Sequence, residues 1–217
     1  MGDNQLIKLT ESIVQIDVNG ALETAEAVFA SDIPAVEVLN KALVPALDRV
    51  GVLFRDGEYF LPDVLMCVSI YNQVFERIEP ELKTGNYKSR GKVMLGTVKG
   101  DTHDIGKNIL SALLQGNGFE VINLGMNVPP ETFLEKAKEI EPDIIGLSAL
   151  LTTTMPEMKN TIDLFKDAGL RDKYKIVIGG APVTQTFADQ IGADGYGAEA
   201  QSGVDLLKEM LAGSATL

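Results

Sequence analysis

The segment KVMLGTVKGDTHDIGKN, Lys92–Asn108, decides the fold of this 217-residue chain. It begins with a short apolar run, typical of a buried β-strand, and after a polar loop it continues into the periodic apolar pattern of a helix. A strand, a loop and a helix form the repeating unit of a parallel sheet with helical crossovers. The loop contains the only histidine in the chain, His103, between Asp101 and Asp104.

The same alternation continues from this segment to the C-terminal end, because short runs rich in Val, Ile and Leu are followed by helical patterns. The predicted strands span 92–98, 119–125, 142–149, 174–180 and 194–197. The predicted helices lie near 105–116, 131–140, 155–169, 184–191 and 199–212. Five strands in this rhythm favour a doubly wound, flavodoxin-like (Rossmann-like) parallel sheet with the order 2-1-3-4-5.

The N-terminal part of the chain has a helical pattern instead, with apolar residues recurring at intervals of three and four, as at Leu6, Leu9 and Ile13. Four helices are predicted, approximately at 4–17, 20–31, 35–53 and 62–83, and Gly or Pro punctuates the connections between them. Short helices with brief connections predict a small antiparallel four-helix bundle.

A polar, basic segment, KTGNYKSRGK, separates the two patterns. We therefore expect a helical domain at 1–88 and an α/β domain at 89–217, with residues 85–91 acting as a hinge.

The composition excludes several classes of protein. A net charge of -12 argues against a nucleic-acid partner, since phosphate binding requires a concentrated basic surface. No apolar run approaches the roughly 20 residues of a membrane span, and the N-terminus lacks the pattern of a signal peptide, so we expect a cytoplasmic protein. One cysteine, Cys67, and one histidine rule out an internal disulfide and an all-protein zinc site.

Polar and glycine residues follow the predicted strands at one edge of the sheet, where doubly wound folds bind ligands. The residues are Asp101, His103 and Asp104 after strand 1, Ser148 through Thr154 after strand 3, Gly179 and Gly180 after strand 4, and Gly197 through Ala200 after strand 5. Each has a purely structural interpretation too, such as helix capping by Asp104. Their joint placement favours a ligand site. A lone histidine suffices as the protein ligand to a metal when a macrocycle supplies the equatorial ligands, as in haem proteins.

Several motifs give the chain a specific resemblance. The segments DTHDIG at 101–106, SAL at 148–150 and GG at 179–180 resemble the D-x-H-x-x-G, S-x-L and G-G motifs of corrinoid-binding proteins. The segment VGVLFRDGEYFLPDVL, Val50–Leu65, is similar to the cap segment in the cobalamin module of methionine synthase. The chain most closely resembles the small corrinoid proteins of methylotrophic and acetogenic methyltransferase systems.

The resemblance implies a role for each matching residue. His103 would be the lower axial ligand of cobalt in place of the cofactor's own base, the base-off/His-on mode. Asp101 and Thr154 would form a proton relay to that ligand, although the related module has Ser at the position of Thr154. The other implied cofactor contacts are Ser148 and Thr152 at the nucleotide tail, Gly106, Gly179, Gly180 and Ala200 along the tail channel, and Phe54, Leu61 and Val64 in a cap over the upper face.

The resemblance also implies a function without independent turnover. Such a protein carries a methyl group on cobalt, cycling between Co(I) and methyl-Co(III). A substrate-specific methyltransferase would supply the group from a methylamine, methanol, betaine or an aryl methyl ether. A second methyltransferase would pass it to tetrahydrofolate or coenzyme M, and a reductive activase would rescue oxidised cobalt.

Three alternatives share parts of this pattern. An adenosylcobalamin mutase small subunit would share the His103 motif but usually lacks the helical cap. A B12-dependent regulator or light sensor would share the cap, but the chain has no basic DNA-binding segment. A phosphorylated receiver module has the same α/β fold but requires an Asp at the end of strand 3, where this chain reads GLSAL.

Overall fold

The structure is a computed structural model that describes residues 2–31, 33–84 and 89–212. The described residues form two compact units, the first reaching Ser89 and also including Gly116–Gly118, and the second containing the remainder. Residues 85–88 of the predicted hinge lie outside the described residues. None of the helices formed by the described residues is long and apolar enough to cross a bilayer.

The first unit is helical, and the four predicted helical segments are confirmed. Its elements are α1 (Gly2–Val14), α2 (Val18–Phe29), α3 (Ala35–Val38), a π-helical turn (Leu39–Leu43), α4 (Val44–Arg55) and α5 (Leu61–Thr84). The third predicted segment corresponds to α3, the π turn and α4, which run on without a break. Its largest fully buried side chains include those of Leu9, Ile13, Leu39, Leu43, Leu47, Ile70 and Tyr71.

Two local features of this unit differ from the uniform helical pattern. Pro45 has no N–H to donate to the carbonyl of Lys41, and in a regular helix its ring would clash with that carbonyl. The chain therefore widens into the π turn, in which the Val44 N–H donates to Leu39 O. The first helix ends at Val14, earlier than predicted, because the chain reverses at Ile16 with a left-handed φ of 60°.

The second unit is a five-stranded parallel sheet with the order β2-β1-β3-β4-β5, which confirms the predicted order. The strands are β1 (Lys92–Thr97), β2 (Glu120–Asn123), β3 (Ile144–Ser148), β4 (Lys175–Gly179) and β5 (Gly195–Gly197). The helices between and after them are α6 (Ile105–Gly116), α7 (Pro130–Ile140), α8 (Pro156–Asp167), α9 (Gln185–Ile191) and α10 (Ala200–Ala212).

The register of the sheet aligns the ends of its strands. Thr97 pairs with Ser148, Ser148 with Gly179, and Gly179 with Gly197. The strands β1 and β3 are buried along almost their whole length, as their central positions in the sheet require. Four strand ends therefore lie side by side, and the loops that follow them start from one edge.

Candidate functional site

The imidazole of His103 is held by a carboxylate two residues earlier in the loop after β1. Nδ1 of His103 lies 2.8 Å from Oδ1 of Asp101, and the backbone N–H of His103 donates to the same oxygen at 2.9 Å. An Nδ1–H donated to a carboxylate fixes the tautomer in which Nε2 has the lone pair. The side chain of His103 is 48% exposed, so the ring is accessible to a ligand.

The carboxylate of Asp101 is fully buried and joins this loop to the loop after β3. Its Oδ2 accepts hydrogen bonds from Leu150 N at 2.8 Å, Leu151 N at 3.3 Å and Thr154 Oγ1 at 2.7 Å. Burial alone would raise the pKa of Asp101, but hydrogen bonds from the His103 backbone, the Thr154 hydroxyl and the Leu150 N–H lower it well below its usual range. The structure thus links His103 and Thr154 through the ionised carboxylate of Asp101, which contacts both.

A third loop, between β2 and α7, also contacts the His103 loop. The N–H of Asn127 donates to Asp101 O at 2.9 Å, and Asn127 Oδ1 accepts from Gly100 N at 2.7 Å. At the base of the loop, the Thr97 N–H donates to Gly125 O at 3.0 Å. Sequence reasoning missed Asn127, although an Asn between Gly125 and two prolines is a recognisable turn signal.

Lys107, four residues after His103, is a buried lysine in the first turn of α6. Its side chain donates to the side-chain oxygens of Asn108 and Asn123, and Asn123 in turn accepts from Gly125 N at 3.0 Å. Burial lowers the pKa of Lys107, and the charge of Asp104 opposes that shift. Sequence reasoning missed Lys107 because a lysine in a helix is normally a solvent-exposed residue.

The glycines at this edge differ in their surroundings. Gly180 has φ of 127°, and a Cβ there would lie 1.9 Å from Ala149 O, so only glycine allows the loops after β3 and β4 to meet. A Cβ on Gly179 would lie 3.0 Å from Gly197 O. At Gly106, by contrast, no atom lies within 4 Å of the Cβ position, which leaves space beside α6.

Exposed apolar side chains lie on the loops that hydrogen-bond the His103 loop and at the start of α6. In the described part of the second unit, the exposed large hydrophobic residues lie in the loops after β2 and β3 and at the first position of α6. They are Ile105, Met126, Leu150 and Leu151, with exposed fractions between 41% and 61%. Clustered exposed apolar residues indicate a binding surface, here one suited to a broad, largely apolar ligand.

The remaining predicted site residues are distributed over both units. Thr152 is exposed in the loop before α8, Ser148 is half-buried at the end of β3, and Ala200 is the first residue of α10. Phe54 and Leu61 in the first unit are partly exposed, at the end of α4 and the start of α5. Val64, one turn into α5, is only 1% exposed.

The fold and the site define a class of protein. It is a doubly wound α/β protein whose ligand site, at the carboxyl ends of the strands, presents one accessible imidazole supported by a buried carboxylate. Among the described residues, no group of three or more His, Cys, Asp or Glu side chains could hold a metal ion.

Comparisons with known proteins identify the family. The family model of the B12 binding domain matches residues 91–205, and a second B12 binding domain model matches residues 6–79. The chain is 42% identical to dimethylamine corrinoid protein 3 of Methanosarcina acetivorans, over 95% of this chain and 96% of that protein. A corrinoid protein of Desulfitobacterium hafniense is 41% identical, over 95% of this chain and 97% of its own length. The chain therefore belongs to the B12-binding corrinoid proteins, and its cofactor is a corrinoid.

Solved structures agree with this assignment. A cobalamin-binding protein from Desulfitobacterium hafniense has a TM-score of 0.80 at 34% identity, covering 94% of this chain and 97% of that one. A chain of the methanol:cobalamin methyltransferase complex from Methanosarcina barkeri has a TM-score of 0.83 at 29% identity, covering 98% of this chain and 81% of that one. Both structures contain the helical unit and the α/β unit, which confirms the predicted fold class.

Proposed function

We propose that this corrinoid protein carries a methyl group between two methyltransferases, with His103 as the axial ligand to cobalt. The observation that carries the proposal is the half-exposed imidazole of His103, whose Nδ1 is bound to the buried carboxylate of Asp101. The bound corrinoid would supply a cobalt that accepts and releases the methyl group. The protein would orient this cofactor, and Asp101 would control the basicity of the axial ligand His103.

His103 and its partners would set the state of the axial bond. The carboxylate of Asp101 keeps a proton on Nδ1 and increases the electron density at Nε2, which makes the ring a better metal ligand. Thr154 donates to the other oxygen of Asp101 and holds that carboxylate in position.

Other residues support the binding of the cofactor body and tail. The exposed apolar side chains around His103 would contact the macrocycle. The open position beside Gly106 fits a narrow channel for the nucleotide tail. We propose that Gly179, Gly180, Ser148, Thr152 and Ala200 line the same channel. Next to Ala200, the buried Oε1 of Gln201 has no hydrogen-bond partner among the described residues, so it could accept a hydrogen bond from the cofactor. Phe54, Leu61 and Val64 would form the cap.

The relatives suggest which partners to test. Two of them are named for dimethylamine and trimethylamine, and the methanol:cobalamin methyltransferase of Methanosarcina barkeri is a complex. We infer that a methylamine-specific methyltransferase methylates the cofactor of this chain. A second methyltransferase would transfer the group to tetrahydrofolate or coenzyme M, and a reductive activase would restore the reduced cofactor.

The decisive experiment is the substitution His103→Ala in protein loaded with cobalamin. We expect the EPR spectrum of the wild-type Co(II) form to show superhyperfine splitting from one protein nitrogen, and His103→Ala to lose it and to bind cobalamin at least about tenfold more weakly. Thr102→Ala is the control, because Thr102 is an exposed neighbour in the same loop. Unchanged nitrogen splitting in His103→Ala would show that the axial ligand lies elsewhere.

A further inference from the structure

We propose that Asn127 is a positioning residue for the axial ligand, holding the backbone of the His103 loop from a neighbouring strand connection. The inference rests on the proposed function, in which His103 binds cobalt. None of the sequence motifs that point to the cofactor site includes this position.

Asn127 makes two hydrogen bonds to adjacent residues of the His103 loop. Its backbone N–H donates to Asp101 O at 2.9 Å, and its side-chain Oδ1 accepts from Gly100 N at 2.7 Å. The two bonds are made to the peptide units on either side of the Gly100–Asp101 peptide, so they hold this stretch of backbone at both ends. The position of this stretch determines where the side chain of Asp101 lies, and therefore where the ring of His103 lies.

The conformation of Asn127 explains why this residue type occurs there. Its φ is 54°, in the left-handed region that Asn tolerates better than most residues with a Cβ. The short side chain can then reach the neighbouring loop, which glycine could not do. Gly100, its partner, also has a left-handed φ of 81°.

The loop that contains Asn127 is itself firmly attached to the sheet. Thr97 N donates to Gly125 O at 3.0 Å, Val128 N donates to Thr97 O at 2.9 Å, and Asn123 Oδ1 accepts from Gly125 N at 3.0 Å. Asn127 thus connects the His103 loop to a loop that is itself hydrogen-bonded to β1. The side chain of Asp101 is held separately by the loop after β3, so the carboxylate that orients His103 is fixed at both its backbone and its oxygens.

Three substitutions separate the contributions of the backbone and the side chain. Asn127→Gly keeps the left-handed backbone and the N–H bond but removes the acceptor for Gly100. Asn127→Ala removes the acceptor and adds backbone strain. Asn127→Asp keeps an acceptor oxygen and tolerates the left-handed conformation, so it is the conservative rescue variant. Glu141→Gly is the matched control, because Glu141 also has a left-handed φ, of 51°, and caps the distant end of α7.

The test has one measurement without the cofactor and one with it. In the cofactor-free protein, we expect the amide of Gly100 to exchange with solvent about tenfold faster in Asn127→Gly than in wild type or Asn127→Asp. In the cobalamin-loaded Co(II) protein, we expect Asn127→Gly and Asn127→Ala to reduce the fraction with protein-nitrogen splitting and to weaken binding about tenfold. Asn127→Asp and Glu141→Gly should match wild type in both measurements.

The outcomes are distinguishable. If Asn127→Gly lowers thermal stability but leaves both the Gly100 exchange rate and the nitrogen-ligated fraction at wild-type values, Asn127 has only a structural role and the proposal is wrong. If wild-type protein itself shows no nitrogen splitting, the proposed function fails instead. In that case, an unchanged exchange rate of the Gly100 amide in Asn127→Gly would show, in addition, that the side chain of Asn127 does not hold the His103 loop.

Discussion

At the scale of single residues, the defining feature is the carboxylate of Asp101, which orients the imidazole of His103 and remains ionised. Asp101 accepts five hydrogen bonds, two from His103, one each from the backbones of Leu150 and Leu151, and one from Thr154. So many donors stabilise the charged form and keep the pKa of this buried carboxyl far below its ordinary value. The proton between Asp101 and His103 therefore resides on the imidazole.

This arrangement predicts the effect of Asp101→Asn. An amide nitrogen cannot accept a hydrogen bond, so the substitution leaves one or more of these donors without a partner and removes the charge that holds the Nδ1–H tautomer. We expect the cofactor-free protein to lose about 3 kcal/mol in free energy of unfolding, measured by urea denaturation. Cobalamin binding should weaken about tenfold or more.

The neighbouring substitution Asp104→Asn provides the control, since Asp104 lies in the same loop with a partly exposed side chain. It should change stability by less than about 0.5 kcal/mol. Equal effects of the two substitutions would show that the loop responds to its total charge rather than to the contacts of Asp101.

At the scale of secondary-structure elements, the most informative feature is the π turn between α3 and α4. The turn accommodates Pro45 without ending the helical segment. The hydroxyl of Thr10, on α1, lies 3.2 Å from Ala42 O in the turn and 3.0 Å from Leu6 O. A side chain of one helix thus supports an irregular turn in another.

We predict that Thr10→Val destabilises the cofactor-free protein by about 1 kcal/mol in urea denaturation, because the buried carbonyl of Ala42 loses a donor. Thr24→Val is a matched control on α2. Thr24 is also buried, but its hydroxyl has no hydrogen-bond partner among the described residues, so Thr24→Val should be neutral or stabilising. A loss of stability in Thr24→Val as large as that in Thr10→Val would contradict this interpretation.

At the scale of the whole molecule, the chain combines two units that both belong to B12-binding families. One family model covers residues 6–79 of the helical unit, and the other covers residues 91–205 of the α/β unit. The imidazole and its supporting loops lie in the second unit. The first unit contains Phe54 and Leu61, which we propose as part of a cap that shields the reactive face of the cofactor.

This proposal predicts that Phe54→Ala shortens the lifetime of the methylated, cobalamin-loaded protein. Loss of the ring would admit water and oxygen, so photolysis and aerobic oxidation should become several-fold faster, as followed by visible absorption. Val36→Ala is a control, because Val36 is an exposed apolar residue elsewhere in the same unit. Unchanged rates in Phe54→Ala would remove Phe54 from the cap.

Much of the fold could be predicted because each element has a characteristic period. The strand β3 is a continuous apolar run and α7 has an amphipathic repeat, so both were found to within a few residues. Pro45 was not recognised as the cause of a π turn, since a proline after an apolar run fits several helical geometries. The contact between Asp101 and His103 was predicted from the resemblance of the motif DTHDIG to corrinoid-binding proteins. The backbone donors of Leu150 and Leu151, by contrast, leave no trace in the choice of side chain.

The sequence by itself determined the order of the elements, the strand order of the sheet and the family to which the chain belongs, because these depend on local periodicity and on short motifs. Only the tertiary structure decided which loops support the histidine. The contacts of Asn127 with Gly100 and of Asp101 with Leu150 join residues that are distant in sequence, separated by 27 and 49 positions. Such contacts form only when parallel strands align their ends, so no local pattern can specify them.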